Sequence, residues 1–352
     1  PYRKKPLCQK RISKKIDNYQ TLFHDSVDSK RMYSQVSITI PAYNAEKTIG
    51  KTLEACLDQD YTGRVEVIVV DDGSTDGTKK VVNKYPVSYI YQENSGPAAT
   101  RNKGWRAASG EIICFTDSDC IPPRDWLSKL LRNYQDNGTG AVGGSYDIAN
   151  PDSFLASCIH EEITVRHLAM PRYAKFLGSY NFSARKSVLE RTHGFQEGYK
   201  KASGEDNDLS YKISRLGYKI VFDKEALVAH YHRESLWRYL SDQYTHGFWR
   251  ARLYWEHPGM SLGDDYTRLK DIVEVPLCLG LLTTTPFTQV SGLWYILLAL
   301  LFSLQLGMAF SISIRGRKPL LLLFAFVTFL RCFARSLGFL RGLLALGKRL
   351  FF

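Results

Sequence analysis

The sequence predicts an α/β fold built on a parallel sheet, and three observations lead there. From residue 36 onward, apolar runs of strand-like composition alternate with stretches of helical periodicity, the pattern of strand–helix–strand units joined by right-handed crossovers. The acidic and glycine-rich turns fall where those runs end, which is where ligands bind in such sheets. The third observation is the run 112–121, apolar and bounded by Gly110 and Pro122-Pro123, which ends on Asp117 and Asp119. Two carboxylates so close are unfavourable to bury without a cation or strong hydrogen bonds, and hard oxygen ligands favour magnesium or manganese over zinc. An ordinary acidic turn before two prolines would account for those ten residues taken alone.

In chain order, residues 1–35 are basic and polar and read as a flexible arm, a surface helix or a solvated tail. Residues 36–40 alternate like a strand, and Pro41-Ala-Tyr-Asn44 breaks it. Ile49, Leu53, Cys56 and Leu57 then lie at helical spacing within 45–59. The unit repeats: a strand over 65–70, a turn over 71–77 and a helix over 78–85. It repeats again as a short strand over 87–91 and a helix over 97–108 that leads into the acidic run. Residues 204–216 form an amphipathic helix that opens on Gly204-Glu-Asp-Asn-Asp208, and acid in a first turn is also plain capping. A helix amino end keeps such carboxylates ionised and lowers their pKa. Strand 218–222 and a short run 226–229 precede His230 and His232. Glu161, Glu162 and His167 in the segment 151–175 read as helix charges at i,i+4 spacing in preference to a second metal site.

Composition limits the class. The 352 residues carry a net charge of +12, with +6 in residues 1–35, +8 in 315–352 and −2 between them. Charge at the two ends fits an anionic membrane surface better than a nucleic-acid groove, and no nucleic-acid-binding signature accompanies it, so no nucleic acid partner is expected. Seven scattered cysteines without a Cys-x-x-Cys pair suggest reduced, buried thiols and a cytosolic body. No apolar core follows the basic residues 1–15, so no secretory signal is expected there. A dinucleotide-binding domain would show the same alternation, but its Gly-x-Gly-x-x-Gly is missing after the first strand. In its place Tyr43 could stack on a base, and the Asp72 carboxylate could accept from a base imino group. Loop packing for Tyr43, and a helix cap from Ser74 or Asp76 in the Asp-Asp-Gly-Ser turn, are the plainer readings.

Five strings taken together resemble glycosyltransferase family 2, inverting sugar-nucleotide transferases of the GT-A fold, a Rossmann-like mixed sheet. They are VSITIPAYNAEKTI from residue 36, VEVIVVDDGSTDGT from 65, ENSGPAATRNKGWRAASGEIICFTDSDCIPP from 93, GSYNFSARKSVLERTHGF from 178 and GEDNDLSYKISRLGYKI from 204. In order and spacing they cover about residues 36–230. The resemblance implies that Pro41, Ala42, Tyr43 and Glu46 border the nucleotide pocket, that Asp72 reads the base, and that Arg101 lies against the donor's phosphate or sugar. Asp117, Ser118 and Asp119 match the family's Asp-x-Asp, with Asp119 the more direct contact to Mn2+ or Mg2+ and His230 completing the metal shell. Asn181 would face the donor sugar or the acceptor. Asp206 would be the general base, with Glu205 second and Asp208 third. The donor implied is a UDP- or GDP-sugar, and the acceptor a glycan or a lipid-linked molecule. Residues 243–250 match the Gln-x-x-Arg-Trp motif of processive synthases only in part, with the Arg-Trp order reversed.

The C-terminal part points to a membrane. Trp237, Leu240, Tyr244, Phe248, Ala251 and Trp255 share one face of a helix over 235–255, which suits either a membrane interface or a packed core. Residues 290–314 hold no charge, enough to cross a bilayer of roughly 30 Å. Residues 319–340 are nearly as apolar but carry Arg331 and Arg335, so they form a second span or an interfacial helix. The shorter apolar stretch 275–289, interrupted by Pro276 and Pro286, suggests a re-entrant segment. A hairpin of 275–314 would put the basic loop 315–318 on the cytosolic side with the catalytic body. The expected division is thus a basic arm (1–35), a GT-A catalytic domain (36–234), an amphipathic interfacial helix and linker (235–271) and C-terminal membrane helices (272–352). A membrane-attached glycosyltransferase is the leading expectation. A processive polysaccharide synthase and a non-catalytic sugar-nucleotide-binding subunit are the alternatives.

Overall fold

The computed structural model describes residues 33–201, 203–263, 265–267, 269–287 and 292–350, so most of the basic arm lies outside the described residues. From Ser34 onward the chain forms one compact unit. Strands β1 (Gln35–Ala42), β2 (Arg64–Asp71), β3 (Ser88–Tyr91) and β4 (Ile112–Thr116) alternate with helices α1 (Ile49–Leu57), α2 (Thr78–Val82) and α3 (Pro97–Ala107). These four strands pair in parallel, in the order β3-β2-β1-β4, as the alternation required. Both faces of β1 and β4 are covered, and Val36, Ile38, Ile40, Ile112, Ile113 and Phe115 are buried, which is why these strands read as near-continuous apolar runs.

The rest of the sheet is mixed. It continues through β5 (Cys120–Ile121), α4 (Trp126–Leu131), β6 (Thr139–Ile148), α5 (Phe154–Ala169), β7 (Asn181–Arg185), α6 (Lys186–Thr192), α7 (Glu205–Arg215) and β8 (Lys219–His230). The full order is β3-β2-β1-β4-β7-β6-β8-β5, with β7 antiparallel to β4 and β6, and β6 parallel to β8. Two sequence expectations change here. The run 112–121 is not one strand: Asp117–Asp119 turn the chain, and Cys120-Ile121 cross to the far edge to pair with His230 and Ala229. The two short runs before His230 are one strand, whose register against β6 slips between Gly144 and Ser145.

Among the described residues four α-helices follow: α8 (Leu236–Glu256), α9 (Leu269–Thr284), α10 (Leu293–Gly316) and α11 (Phe324–Leu350). The last two are long and apolar enough to cross a membrane by length and composition. On α8 the buried face is Tyr239, Gln243, Gly247 and Ala251, while Trp237 and Trp255 of the expected stripe are exposed. That buried face packs on α11. A Cβ on Gly338 or Gly342 would overlap the carbonyl oxygen of Tyr244 or Phe248, and one on Gly247 would overlap that of Arg335. The pairs ascend together, so α8 and α11 run in the same direction with backbones in close contact. The seam uses Gly338-x-x-x-Gly342 against Gly247-x-x-x-Ala251.

A layer of buried charge joins these helices to α5. Glu162 pairs with Arg166 at 2.9 Å, the i,i+4 pairing the sequence suggested, and with Arg331 at 2.6 Å. Arg166 also bonds Asp271 (2.6 Å), while Glu274 meets Lys270 (2.8 Å) and Arg335 (3.2 Å). Arg335 donates to Gln243 at 2.7 Å, and Arg331 to the Tyr239 hydroxyl at 3.1 Å. The two arginines that made residues 319–340 ambiguous therefore face inward onto carboxylates.

Candidate active site

The site forms where the carboxyl ends of β1, β2 and β4 meet the start of α7. The two loops on the nucleotide side are zipped together. Asn44 N donates to Ser74 Oγ (2.9 Å), Ala45 N to Thr78 Oγ1 (2.8 Å) and Glu46 N to Asp76 (3.1 Å), while Glu46 accepts from Gly77 N (3.1 Å). Asn44 takes a positive φ of 49°, which swings the Pro41–Asn44 loop out and leaves Tyr43 54% exposed. Asp72 is buried, and its carboxylate accepts from Gln92 Nε2 (2.7 Å), Ser95 N (2.8 Å) and Gly96 N (2.9 Å). It thus fastens the loop ahead of α3, where Gly96 has a φ of 92° against the Lys200 backbone.

Asp117 and Asp119 differ in partner. Pairing of Cys120 with His230 across β5 and β8 carries His230 to the turn, so its Nε2 lies 3.5 Å from Asp119 Oδ1. Among the described residues, Asp119, Cys120 and His230 bring ligand atoms within 4.8 Å of one another. Burial pushes the Cys120 thiol well up, so it stays protonated and is a poor ligand. The remaining carboxylate oxygen and imidazole nitrogen suit a divalent ion of the manganese type. Burial raises Asp119, but His230 and Arg233 outweigh it and hold the carboxyl below its ordinary range. Asp117 is not part of this cluster, because its Oδ1 accepts from Arg101 Nη2 at 2.8 Å. The Ser118 carbonyl accepts from Thr52 Oγ1 at 3.1 Å, which fixes the turn between the two acids.

Arg101 departs from expectation. It does not reach out toward a phosphate: it is 3% exposed, and its second amino group donates to Glu205 Oε1 at 3.0 Å. A guanidinium clamped between two carboxylates is a strut, and it ties the Asp-x-Asp turn to the start of α7 across 104 residues of sequence. On α7 the three acids separate by partner. Glu205 is bound by Arg101 and by Ser203 N (2.7 Å), and Asp208 is buried against Lys212 (2.6 Å) and His257 (2.9 Å). Asp206 is half-buried and accepts from Asn207 N at 2.9 Å. For Glu205 and Asp206 the expectation that the helix end lowers the pKa is reversed. Burial and the neighbouring Asp206 push Glu205 up to about 7 against the opposing pull of Arg101, and burial likewise raises Asp206. The Arg101–Glu205 pair is therefore asymmetric: two carboxylates hold Arg101 charged, while Glu205 shares that cation with Asp117.

Asn181 does not face donor or acceptor. It is fully buried, accepts from Trp126 Nε1 (2.8 Å) and donates to the carbonyls of Ser145 (3.0 Å) and Ala226 (2.7 Å), so its amide knits β7 to β6 and β8. Sequence reasoning missed the aromatic bed beneath His230. Tyr146 stacks on Tyr180 at 3.5 Å and lies 4.9 Å from the His230 ring, and His230 Nδ1 meets His232 Nδ1 at 2.9 Å. Burial keeps His232 neutral.

The family described as Glycosyl transferase family 2 matches residues 37–202. Glycosyltransferase AglE of Haloferax volcanii is 31% identical over 211 residues, 55% of this chain and 66% of that protein. Probable glycosyltransferase YdaM of Bacillus subtilis is 28% identical over 258 residues, 68% of this chain and 57% of that protein. The chain thus covers less than two thirds of the length of these curated relatives. Among solved structures, mannosyltransferase PcManGT from Pyrobaculum calidifontis in complex with GDP-Man and Mn2+ shares the fold, with a TM-score of 0.59 and 18% identity over 93% of this chain and 94% of that one.

Proposed function

This chain belongs to glycosyltransferase family 2, and from that premise we propose that it is a membrane-associated, metal-dependent inverting transferase that moves a sugar from a nucleotide diphosphate sugar to an acceptor presented at the bilayer. The observation that carries the reading is the Arg101 strut, which ties the turn bearing Asp119 to the start of the helix bearing Asp206. Asp119 and His230 would hold Mn2+ or Mg2+, which when bound supplies positive charge against the departing diphosphate. The donor's base, uracil or guanine, would lie on Tyr43 between Pro41, Ala42 and Glu46, with Asp72 shaping the pocket wall.

Asp206 is the base in this reading. Burial raises its proton affinity, which suits removing the proton from an acceptor hydroxyl as that oxygen bonds to the anomeric carbon. The carbon–oxygen bond to the diphosphate breaks on the opposite face, the electron pair leaves with the diphosphate, and the configuration inverts. Glu205 stays with Arg101 and sets the position of α7. The apolar α10 and α11 favour a lipid-linked acceptor, and the six buried free cysteines among the described residues favour a body on the cytosolic side. The test is transfer and donor hydrolysis by purified protein with manganese. Asp119→Asn and Asp206→Asn should each lose at least about a hundredfold in rate with an unchanged circular dichroism spectrum. A near wild-type rate for either would overturn that residue's assignment, and product length separates single transfer from polymerisation.

A further inference from the structure

Helices α10 and α11 pass the length and hydropathy test for spanning a membrane, but α11 is bound on one face to α5 and α8, and α10 is bound to α5 over its C-terminal part. On α10, Met308 and Ile312 share a core with Leu155 and Cys158 of α5 and Tyr239 of α8. Its C-terminal Arg315 lies 4.0 Å from Glu161. Its N-terminal half packs through Leu297 and Leu301 on Cys278 and Leu281 of α9, and α9 is itself held to α5 by the Asp271–Arg166 pair. On α11, Phe324 joins the α5 core, Arg331 and Arg335 pair with Glu162 and Glu274, and Gly338 and Gly342 sit on the α8 backbone. The body it grips carries charged side chains in water, such as Arg233 and Asp242 at the start of α8, paired at 2.7 Å.

A spanning helix must cross roughly 30 Å of hydrocarbon without water-soluble neighbours. On α10 the part from Met308 on is fixed to the body, and the residues before it, at about 1.5 Å each, reach only about 22 Å. On α11, Phe324 is held by α5 and Gly342 by α8, so neither helix is free over that thickness. The opposite faces tell what covers them. Ile296, Leu300, Phe310 and Ile314 line the outer side of α10 from end to end, and Phe326, Leu330, Leu337 and Leu344 do the same for α11. Arg315, Arg317 and Lys318 between the helices, with Arg341 and Lys348 near the end of α11, place exposed cations beside these faces and no acid on either helix. That is the chemistry of a surface lying in an anionic lipid headgroup layer with its apolar side in the acyl chains.

We infer that α10 and α11 form a monotopic face, embedded in one leaflet of an anionic bilayer, and that neither helix crosses it. The inference rests on the membrane-associated reading above and replaces the expected span over residues 290–314. Because α8 joins this face to Ser203 beside α7, through His246 at 3.2 Å, the acceptor would reach the cleft from the headgroup plane.

The experiment uses the full chain bound to sealed phosphatidylcholine–phosphatidylglycerol vesicles, with single cysteines introduced as Thr285→Cys and Arg317→Cys at the turns on either end of α10. A membrane-impermeant maleimide added on the side of the catalytic body should label Arg317→Cys, and the same reagent confined to the far side should label neither. Labelling of Thr285→Cys from the far side means a span and overturns the inference. Failure to float with the vesicles, or release by alkaline carbonate, also overturns it. The double substitution Phe326→Glu with Leu330→Glu should reduce the vesicle-bound fraction by about tenfold or more. Its folding is checked by manganese-dependent donor hydrolysis in detergent, and an unchanged bound fraction in a folded variant counts against the face. Donor hydrolysis by the unmodified chain is scored separately, so failure of the transferase reading is distinguishable from failure of the topology.

Discussion

Arg101 shows how much one side chain can organise. Its charge neutralises Asp117 and Glu205 together, and Glu205 is almost wholly buried. Above pH 7, where Glu205 is ionised, Arg101→Ala leaves a buried carboxylate without its cation, and we expect a loss of about 3–5 kcal/mol, measured by thermal or denaturant unfolding. Arg101→Lys restores the charge but not the two-pronged geometry, and should recover only part of that stability. Glu205 sets a pH dependence whose sign follows from its raised pKa. The folded protein keeps this proton up to about pH 7, whereas the unfolded chain releases it in the ordinary carboxylate range. The stability it contributes is therefore fully present in acid and is lost as pH rises through about 7. Glu205→Gln should flatten that part of the melting temperature–pH curve, and an unchanged slope would reassign the proton. Asp117, Asp119 and Asp206 could be picked out in the sequence because short motifs carry them. The roles of Arg101 and Asn181 could not, because a side chain's direction depends on partners about a hundred residues away, and nothing local to Asn181 reveals that three strands close over it.

At the scale of elements, the strands and helices up to residue 121 were legible because each is a local apolar period bounded by glycine, proline or acid. The acidic run was misread as one strand because apolar content alone does not show a turn at Asp117–Asp119, and the pairing of Cys120 with His230 is long-range. The α8–α11 seam was likewise hidden. Gly338-x-x-x-Gly342 was visible, but its partner on α8 is 92 positions earlier, as the Gln243–Arg335 bond measures. The seam allows no side chain at its glycines, so Gly342→Val should destabilise the full chain by about 1–3 kcal/mol in detergent, read as a lower melting temperature. Gly347 has open space beside its Cβ position, and valine is a better helix former than glycine, so Gly347→Val should leave the melting temperature unchanged or slightly raised.

Across the whole molecule, the charges that seemed to argue against a C-terminal apolar region are what fastens it. Arg166, Arg331, Arg335 and Lys270 are set against Glu162, Asp271 and Glu274 within the layer between α5 and α9–α11. Glu162→Gln removes the carboxylate shared by Arg166 and Arg331, and we expect about 3–5 kcal/mol lost by unfolding in detergent. Net charge and hydropathy foretold a basic, apolar C-terminal part, but only the fold reveals that Arg331 and Arg335 point inward while Arg315, Arg317 and Arg341 stay exposed. The parallel seam has one more consequence, which concerns order in time. The face of α8 that carries Gly247 and Ala251 lacks its partner until residues near Gly342 have left the ribosome, while α5 and Tyr199 can already hold the rest of that helix. A partly made chain would carry every motif of the candidate site and still lack this seam, which can close only once α11 has been made.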